Sequence, residues 1–303
     1  MEFGWERYMR VGLVHFMAYP ETMRGEGPIL ETLEQIVEDD FFGAVEVSWI
    51  KDEHVKKRAK EILQTGHLAV AYAAQPRLLI NKLDLNSLNE TERQKAIEEV
   101  KKGIEEAAYL EAEGVALLSG PDPGEGRRND AKAVLVDSLK QLCEFAGRRG
   151  LRLELEPFDR DIDKKCLIGP SKEAVEIAEA VKADHPNFGL LLDLSHLPLQ
   201  NETSRDALTT SAGHLVHVHI GNCVFRDRSH QAYGDQHPRF GMEGGENDVQ
   251  ELKEFLKMLF EIDFIGGEAK PLVSFEVKPG RGESSRAVVA NAKRVFREAW
   301  AEL

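Results

Sequence analysis

The chain has 303 residues, of which 42% are hydrophobic and 30% are charged, and its 53 acidic and 39 basic residues give a formal net charge of −14. This balance disfavours nucleic acids and anionic membranes as partners, because both repel an acidic surface. The three cysteines are widely scattered, so a disulfide framework or a zinc knuckle is not expected and a reducing compartment is indicated.

The amino terminus lacks the features of a secretory signal. Residues 1–9 have no apolar stretch and no small-residue cleavage site. No segment approaches the roughly 18 apolar residues that a membrane span needs. We therefore expect a cytoplasmic protein that does not cross a membrane, with residues 1–9 as a short extension of one domain that occupies residues 1–303.

Short apolar segments alternate with longer segments of helical periodicity along the whole chain. The predicted strands are Arg10–Phe16, Gly43–Ser48, His67–Ala73, Gly114–Ser119, Leu151–Glu156, Phe188–Asp193, Leu215–Ile220 and Leu272–Val277. The predicted helices include Ile29–Glu38, Thr91–Glu113, Asp130–Arg148, Lys172–Lys182, Val249–Phe260 and Ser285–Trp300. Eight such units, with no GxGxxG after the first strand, favour a single (β/α)8 TIM barrel over a doubly wound sheet.

Polar residues alternate with apolar ones inside several predicted strands. In a closed barrel one strand face packs under the helices, so the polar face must point into the lumen. The inward residues are Glu46, Ser48, Arg152, Glu154, Glu156, His217, His219, Ser274 and Glu276. Ionisable groups inside a barrel are costly unless they pair or hold an ion. We expect Arg152 and Glu154 to form ion pairs and His217 to be a hydrogen-bonded core residue.

The last polar residues of four late strands form a different set, because barrel enzymes place their chemistry at the carboxyl ends of strands. They are Glu156, Asp193, His219 and Glu276. Three carboxylates and an imidazole suit one divalent ion, such as Mn²⁺, Mg²⁺, Co²⁺ or Zn²⁺. A purely structural network is the alternative, but it must explain four strand ends at once. His196 lies three residues after Asp193, and Asp235 and His237 lie in the long loop after the seventh strand, so each could add a ligand or contact a substrate.

At these residues the sequence resembles the xylose-isomerase-like TIM barrel superfamily of sugar isomerases, epimerases and apurinic endonucleases. The resemblance covers nearly the whole chain and is most specific in Leu155–Arg160, Leu191–His196, His217–Asn222 and Ser274–Val277. In the ketose 3-epimerases of this superfamily, the matching positions bind one divalent metal ion. The resemblance thus implies the same four ligands, with Mn²⁺ as the first choice of ion.

The resemblance also implies substrate contacts. The histidine of the D-x-x-H motif, His196, would contact substrate oxygens, and so would an arginine soon after the third motif. Arg226, Arg228 and Arg239 compete for that second role, with Arg226 taken as the substrate-binding candidate. His237 and Glu46 complete the substrate-binding candidates.

The apurinic endonucleases provide a second comparison within the superfamily. Asp235-Gln236-His237 resembles the D-x-H element that supplies a further metal in these nucleases, and Glu46 matches another of their ligand positions. The fourth strand, however, ends at Ser119 where they carry a histidine. The three-metal site of the nucleases is therefore not expected to be complete in this chain.

We expect a metal-dependent isomerase or epimerase that abstracts a proton next to the carbonyl of a small carbohydrate through an enediolate intermediate. Glu156 and Glu276 would be the catalytic residues, acting on opposite faces of the substrate. A lyase, dehydratase or C-glycoside-cleaving enzyme on the same metal site is the alternative. An apurinic endonuclease is disfavoured by the charge and by Ser119, and a non-catalytic sugar-binding role by the complete ligand set. A homo-oligomer is possible.

Overall fold

The computed structural model describes residues 4–303, and its central feature is an eight-stranded parallel sheet. The strands are β1 Arg10–Leu13, β2 Ala44–Val47, β3 Ala69–Ala73, β4 Gly114–Leu118, β5 Arg152–Glu156, β6 Phe188–Asp193, β7 Leu215–Gly221 and β8 Leu272–Glu276. Within residues 4–303 the α-helices are α1 His15–Ala18, α2 Ile29–Val37, α3 Glu53–Gly66, α4 Gln75–Asn81, α5 Glu90–Tyr109, α6 Arg128–Gly147, α7 Ser171–Lys182, α8 His196–Leu199, α9 Ser204–Ser211, α10 Val249–Glu261 and α11 Ser285–Ala301.

The sheet closes on itself. Neighbouring strands follow the order β1-β8-β7-β6-β5-β4-β3-β2, all parallel in the pairs with a defined register. Between β1 and β2 the amide of Gly43 donates to the carbonyl of Val11 at 2.9 Å, and Val14 bridges to Glu46. The expected single (β/α)8 TIM barrel is thereby confirmed.

Strand alternation separates a dry outer core from a polar lumen. In β5, Leu153 and Leu155 are fully buried beneath the helices, while Glu154 and Glu156 take the other face. The long helix α5 supplies Ile97, at the helical spacing that buries one stripe against the sheet. Since the strand register carries successive polar residues up the lumen, the residues at the strand ends form the top polar layer.

Two predicted elements end three or more residues earlier than expected. The strand predicted for Arg10–Phe16 stops at Leu13, because His15 already begins α1 and the amide of Met17 donates to Val14. The helix predicted for Thr91–Glu113 ends at Tyr109, because residues 110–113 form the turn into β4. Glu111 in that turn has a φ of 62°, which a helix cannot contain.

The predicted amino-terminal extension, residues 1–9, is described from residue 4 onward, and residues 1–3 lie outside the described residues. Trp5 begins a short 3₁₀ helix and packs its ring 5.0 Å from Phe41 and 5.5 Å from Phe296. Met9 is buried. This segment therefore covers the amino-terminal end of the barrel.

In the described range, none of the helices has both the length and the apolar character that crossing a bilayer requires.

Candidate metal centre

A hydrogen-bonded layer lies in the lumen below the strand ends. Arg152 donates to Glu154 Oε1 at 2.7 Å, Glu154 Oε2 lies 3.0 Å from His217 Nδ1, and His217 Nε2 lies 3.1 Å from Ser274 Oγ. Burial alone would raise the pKa of Glu154, but the hydrogen bond and charge of His217 and the charge of Arg152 lower it to about 2. The predicted ion pair of Arg152 and Glu154 and the predicted core role of His217 are both confirmed.

One layer higher, four strands end in the residues predicted as ligands. We call Glu156, Asp193, His219 and Glu276 the strand-end set. All four are buried, and each offers one ligand atom within 4.8 Å of those of the other three. Glu156 and Glu276 stand two residues beyond Glu154 and Ser274, as strand alternation requires.

The strand-end set is short of hydrogen-bond partners. Among the described residues, four of its buried atoms form no hydrogen bond of good geometry: Glu156 Oε1, Asp193 Oδ2, His219 Nδ1 and Glu276 Oε2, the last two lying 2.6 Å apart. Buried polar atoms without partners are rare and costly, and here every member contributes one. Three carboxylate oxygens and one imidazole nitrogen form a donor set that divalent metals accept. The residues present therefore fit a divalent ion.

The remaining polar atoms of the strand-end set are held by the protein. Gln75 donates to Glu156 Oε2 at 2.7 Å, and the amide of Ser195 donates to Asp193 Oδ1 at 2.7 Å. Glu156 and Asp193 thus each have one oxygen fixed and one free. Such partners of metal-binding side chains orient them before the ion arrives.

Glu46 orients the imidazole of the strand-end set. Its Oε2 lies 2.7 Å from His219 Nε2, which turns Nδ1 toward Glu276 Oε2 at 2.6 Å and Glu156 Oε1 at 3.6 Å. Burial would lower the pKa of His219, but the carboxylates of Glu46 and Glu276 outweigh it and raise that pKa well above its usual value. The layer therefore carries an excess of negative charge that favours a cation.

Beside this layer lie His196, Asp235 and His237, which sequence analysis predicted to add ligands or contact a substrate. Asp235 Oδ1 lies 3.1 Å from His196 Nε2 and 2.7 Å from His237 Nε2. Burial would raise the pKa of Asp235, but the charges of His237, Lys164 and His196 lower it well below its usual value. Its other oxygen, Oδ2, lies 2.7 Å from Lys164 Nζ. The long loop after β7 thus brings its D-x-H element to the barrel mouth.

A cavity of about 200 Å³ opens above the strand-end set. Its polar side includes Glu46, Glu156, His219, Glu276, Asp235, Gln236, His237, Lys164 and Lys278. Its other side is apolar and comprises Phe16, Met17, Met23, Pro76, Leu79, Ile80 and Phe158. His196 lies behind this lining, with Nδ1 3.0 Å from the carbonyl of Pro157.

The predicted arginine is not brought to this cavity. Arg226 is 82% exposed, pairs with Glu246 at 2.9 Å and faces a separate groove. Arg239 pairs with Glu283 at 3.1 Å. The lysines Lys164 and Lys278 are the basic residues beside the cavity instead.

Sequence analysis did not identify three polar lining residues: Gln75, Lys164 and Lys278. Lys278 had a usable signal, because it follows Glu276 by two residues and alternation puts both on one side. Lys164 had none. Its position depends on the buried carboxylate of Asp159, which accepts from the amide of Lys164 at 2.8 Å and from two preceding amides at 2.6 Å.

Comparison with known proteins places these features in a family. The family model described as "Xylose isomerase-like TIM barrel" matches residues 33–299. A "Probable ketose 3-epimerase" of Synechocystis sp. (strain ATCC 27184 / PCC 6803 / Kazusa) is 27% identical over 129 residues. That alignment covers 38% of this chain and 44% of the relative, so the chain matches less than half of that protein's length.

Solved structures match over nearly the whole chain. A D-tagatose 3-epimerase-like protein superposes with a TM-score of 0.72 at 19% identity, covering 97% of this chain and 99% of the other. The IOLI protein, solved with a zinc atom, superposes with a TM-score of 0.73 at 18% identity and the same coverage. At these identities the two structures establish the shared barrel fold.

Proposed function

Because this chain belongs to the xylose isomerase-like TIM barrel family, we propose that it is a divalent-metal-dependent sugar epimerase or isomerase. The observation that carries the proposal is the strand-end set, whose four members each direct an unpartnered buried atom toward the others beneath a small cavity. The resemblance to a ketose 3-epimerase favours a ketose as substrate.

The strand-end set would hold one ion, Mn²⁺ first and Mg²⁺, Co²⁺ or Zn²⁺ otherwise, whose charge stabilises the negative charge that develops on substrate oxygens. Glu156 and Glu276 also act as bases. Each ends a different strand and has a free oxygen at the cavity floor, so one removes the proton next to the carbonyl and the other returns a proton. Return to the opposite face inverts the carbon.

The neighbouring groups fix the substrate and the geometry. Gln75 donates to Oε2 of Glu156 and fixes the orientation of that carboxylate, and the unpartnered Oε1 of Gln75 can accept from a substrate hydroxyl. His237 lines the polar side and contacts substrate oxygens, while His196 supports it through Asp235. The apolar side excludes water from the reacting carbon.

Solvent exchange tests this proposal. Metal-loaded protein incubated with a ketohexose in deuterated water should introduce deuterium at the carbon next to the carbonyl, without loss of water. Glu156→Gln and Glu276→Gln should each lower the exchange rate by roughly 10²–10⁴-fold. Circular dichroism should remain that of the folded barrel. Glu31→Gln, on the exposed face of α2, is the matched control.

Two results would contradict the proposal. Full exchange in both glutamine variants would eliminate the two-glutamate scheme. Deuterium incorporation accompanied by loss of water would identify a lyase or dehydratase instead.

A further inference from the structure

Lys278 is built into the cavity wall above the strand-end set. It follows Glu276 by two residues, and its amide donates to the carbonyl of His237 at 2.7 Å, which fixes the backbone there. Its Nζ donates to Gln236 Oε1 at 3.0 Å. Across residues 4–303 this neutral amide is the sole hydrogen-bond partner of that ammonium group, and no carboxylate lies within 4.0 Å of it. Lys278 is thus a partly buried cation without an ion pair.

Lys164 approaches the cavity from the loop after β5. Its Nζ lies 2.7 Å from Asp235 Oδ2 and 3.2 Å from Asp163 Oδ2. Asp163 Oδ2 also accepts from Gln236 Nε2 at 3.2 Å, so one chain of contacts joins Lys164 to Lys278. We call Lys164 and Lys278 the lysine wall.

The apolar lining residues offer no hydrogen bonds from their side chains. They are Phe16, Met17, Met23, Pro76, Leu79, Ile80 and Phe158. Leu79 is 43% exposed at the rim. The cavity lining therefore combines two lysines, several carboxylates and an apolar part.

An ammonium group without an ion pair in this lining does not match a neutral sugar well. A neutral polyol is served by neutral donors and acceptors, and removing an ammonium group from water for it costs free energy. A carboxylate or phosphate, by contrast, forms short charge-assisted hydrogen bonds with ammonium groups. Because the ammonium of Lys278 has no carboxylate partner among residues 4–303, an anionic ligand would supply one.

We propose that the lysine wall is a subsite for an anionic group of the substrate, so that the substrate is a sugar acid or sugar phosphate. This inference rests on the proposed sugar epimerase function. Lys278 contacts the anion directly, while Lys164, whose charge is balanced by Asp235 and Asp163, supports Lys278 through the contacts of Asp163 with Gln236. The reacting carbon then lies over the strand-end set, and the anionic end lies toward β8.

Three matched ketoses test the subsite: fructose, fructuronate and fructose 6-phosphate. In metal-loaded protein, kcat/KM for deuterium exchange should be at least ~10-fold higher for one of the two anions than for fructose. Lys278→Gln should lower that preference by at least ~10-fold, chiefly through KM, whereas Lys278→Arg should retain most of it. Lys270→Gln is the control, because it changes an exposed lysine just before the other end of β8.

The two anions distinguish the source of the charge: preference for fructuronate identifies a carboxylate subsite, and preference for fructose 6-phosphate a phosphate subsite. Equal rates for all three ketoses in the unmodified protein would overturn the inference. So would a Lys278→Gln variant that slows all three equally.

Binding of unreactive analogues separates this inference from the proposed function. Gluconate and glucitol lack the carbonyl, so calorimetric titration measures the subsite without turnover. Gluconate should bind at least ~10-fold more tightly than glucitol, and Lys278→Gln should remove the difference. If no ketose exchanges but this binding pattern holds, the proposed function fails and the anion subsite stands. If ketoses exchange but Lys278→Gln leaves both the analogue binding and the ketose preference unchanged, only the subsite fails.

Discussion

At the scale of single residues, Glu46 decides which nitrogen of His219 faces the strand-end set. Its carboxylate lies 2.7 Å from Nε2 and accepts the proton of that nitrogen, so Nδ1 is the nitrogen that would bind a metal ion. We predict that Glu46→Gln weakens Mn²⁺ binding by about 10–100-fold, because partners of this kind contribute that much to metal affinity. Competition with a fluorescent chelator measures the change.

The control for this prediction is Glu31→Gln, which removes an equal charge from the exposed face of α2. An unchanged Mn²⁺ affinity in Glu46→Gln would show that Glu46 does not orient His219. Glu46 would then remain a candidate for substrate contact only, which is the role that sequence analysis assigned to it.

His15 provides a pH-dependent contribution to folding. Burial lowers its pKa from 6.5 to about 3, and its Nε2 lies 2.7 Å from Thr32 Oγ1. Above pH 6.5 the ring is neutral in both states. Between pH 6.5 and about 3, His15 binds a proton in the unfolded chain but stays neutral in the folded protein. The unfolding free energy therefore falls as the pH falls.

We therefore predict a shallower acid dependence for His15→Gln. From pH 7 to pH 5 the wild-type protein should lose about 2 kcal/mol more unfolding free energy than this variant, as urea titrations at the two pH values would measure. Thr32→Val, which removes the hydrogen-bond partner and keeps the imidazole, should retain the wild-type dependence. Parallel pH profiles for wild type and His15→Gln would contradict the assignment.

At the scale of elements, the end of β7 packs too closely against β8 to accept a side chain. A Cβ at Gly221 would lie 2.5 Å from the carbonyl oxygen of Glu276 and 3.3 Å from His237 Nδ1. Gly221→Ala must therefore push the two strands apart. We predict a loss of about 1–3 kcal/mol in unfolding free energy together with weaker Mn²⁺ binding, since His219 and Glu276 move.

Gly126→Ala is the matched control for Gly221→Ala, because nothing lies within 4 Å of a Cβ built there. Urea unfolding and Mn²⁺ titration of both variants give the comparison. If Gly221→Ala were as stable and bound Mn²⁺ as tightly as Gly126→Ala, the strands would have room that the structure does not show.

The same strand ends explain how much of the site was predictable from sequence. Alternation identifies which residues face the lumen, and the end of a strand identifies which of them lie at the mouth, so Glu156 and Glu276 were found without a structure. Loops have no regular alternation of side chains of this kind. The loop after β7 takes its shape from Asn222 and Asn247, whose side chains form hydrogen bonds with distant backbone groups. The sequence pattern does not reveal these contacts. Arg226, chosen by resemblance, therefore does not line the cavity at which it was expected.

At the scale of the whole molecule, the barrel was predictable because eight strand-helix alternations leave few other topologies. The closure between β1 and β2 follows from that topology, and the amide of Gly43 donates to the carbonyl of Val11 there. The single-domain extent over residues 1–303 and the cytoplasmic location stay predictions.

The proposed ion should also stabilise the folded barrel. The strand-end set joins β5, β6, β7 and β8, and its three carboxylates repel one another when no cation lies between them. An ion that binds only the folded barrel stabilises it by mass action. At a free concentration 100 times the dissociation constant, the gain is about 2.7 kcal/mol. We therefore predict that the melting temperature rises with Mn²⁺ concentration and falls after chelation.

Asp193→Asn provides the decisive comparison for this coupling. It keeps the size of the side chain and the oxygen that accepts from the amide of Ser195, but it removes a charge from the strand-end set. Its melting temperature without metal should equal or exceed that of the wild-type protein, because one repelling carboxylate is gone, and its response to Mn²⁺ should be much smaller. If the melting temperature of the wild-type protein were the same with Mn²⁺ and with chelator, these four side chains would stabilise the barrel without a metal ion.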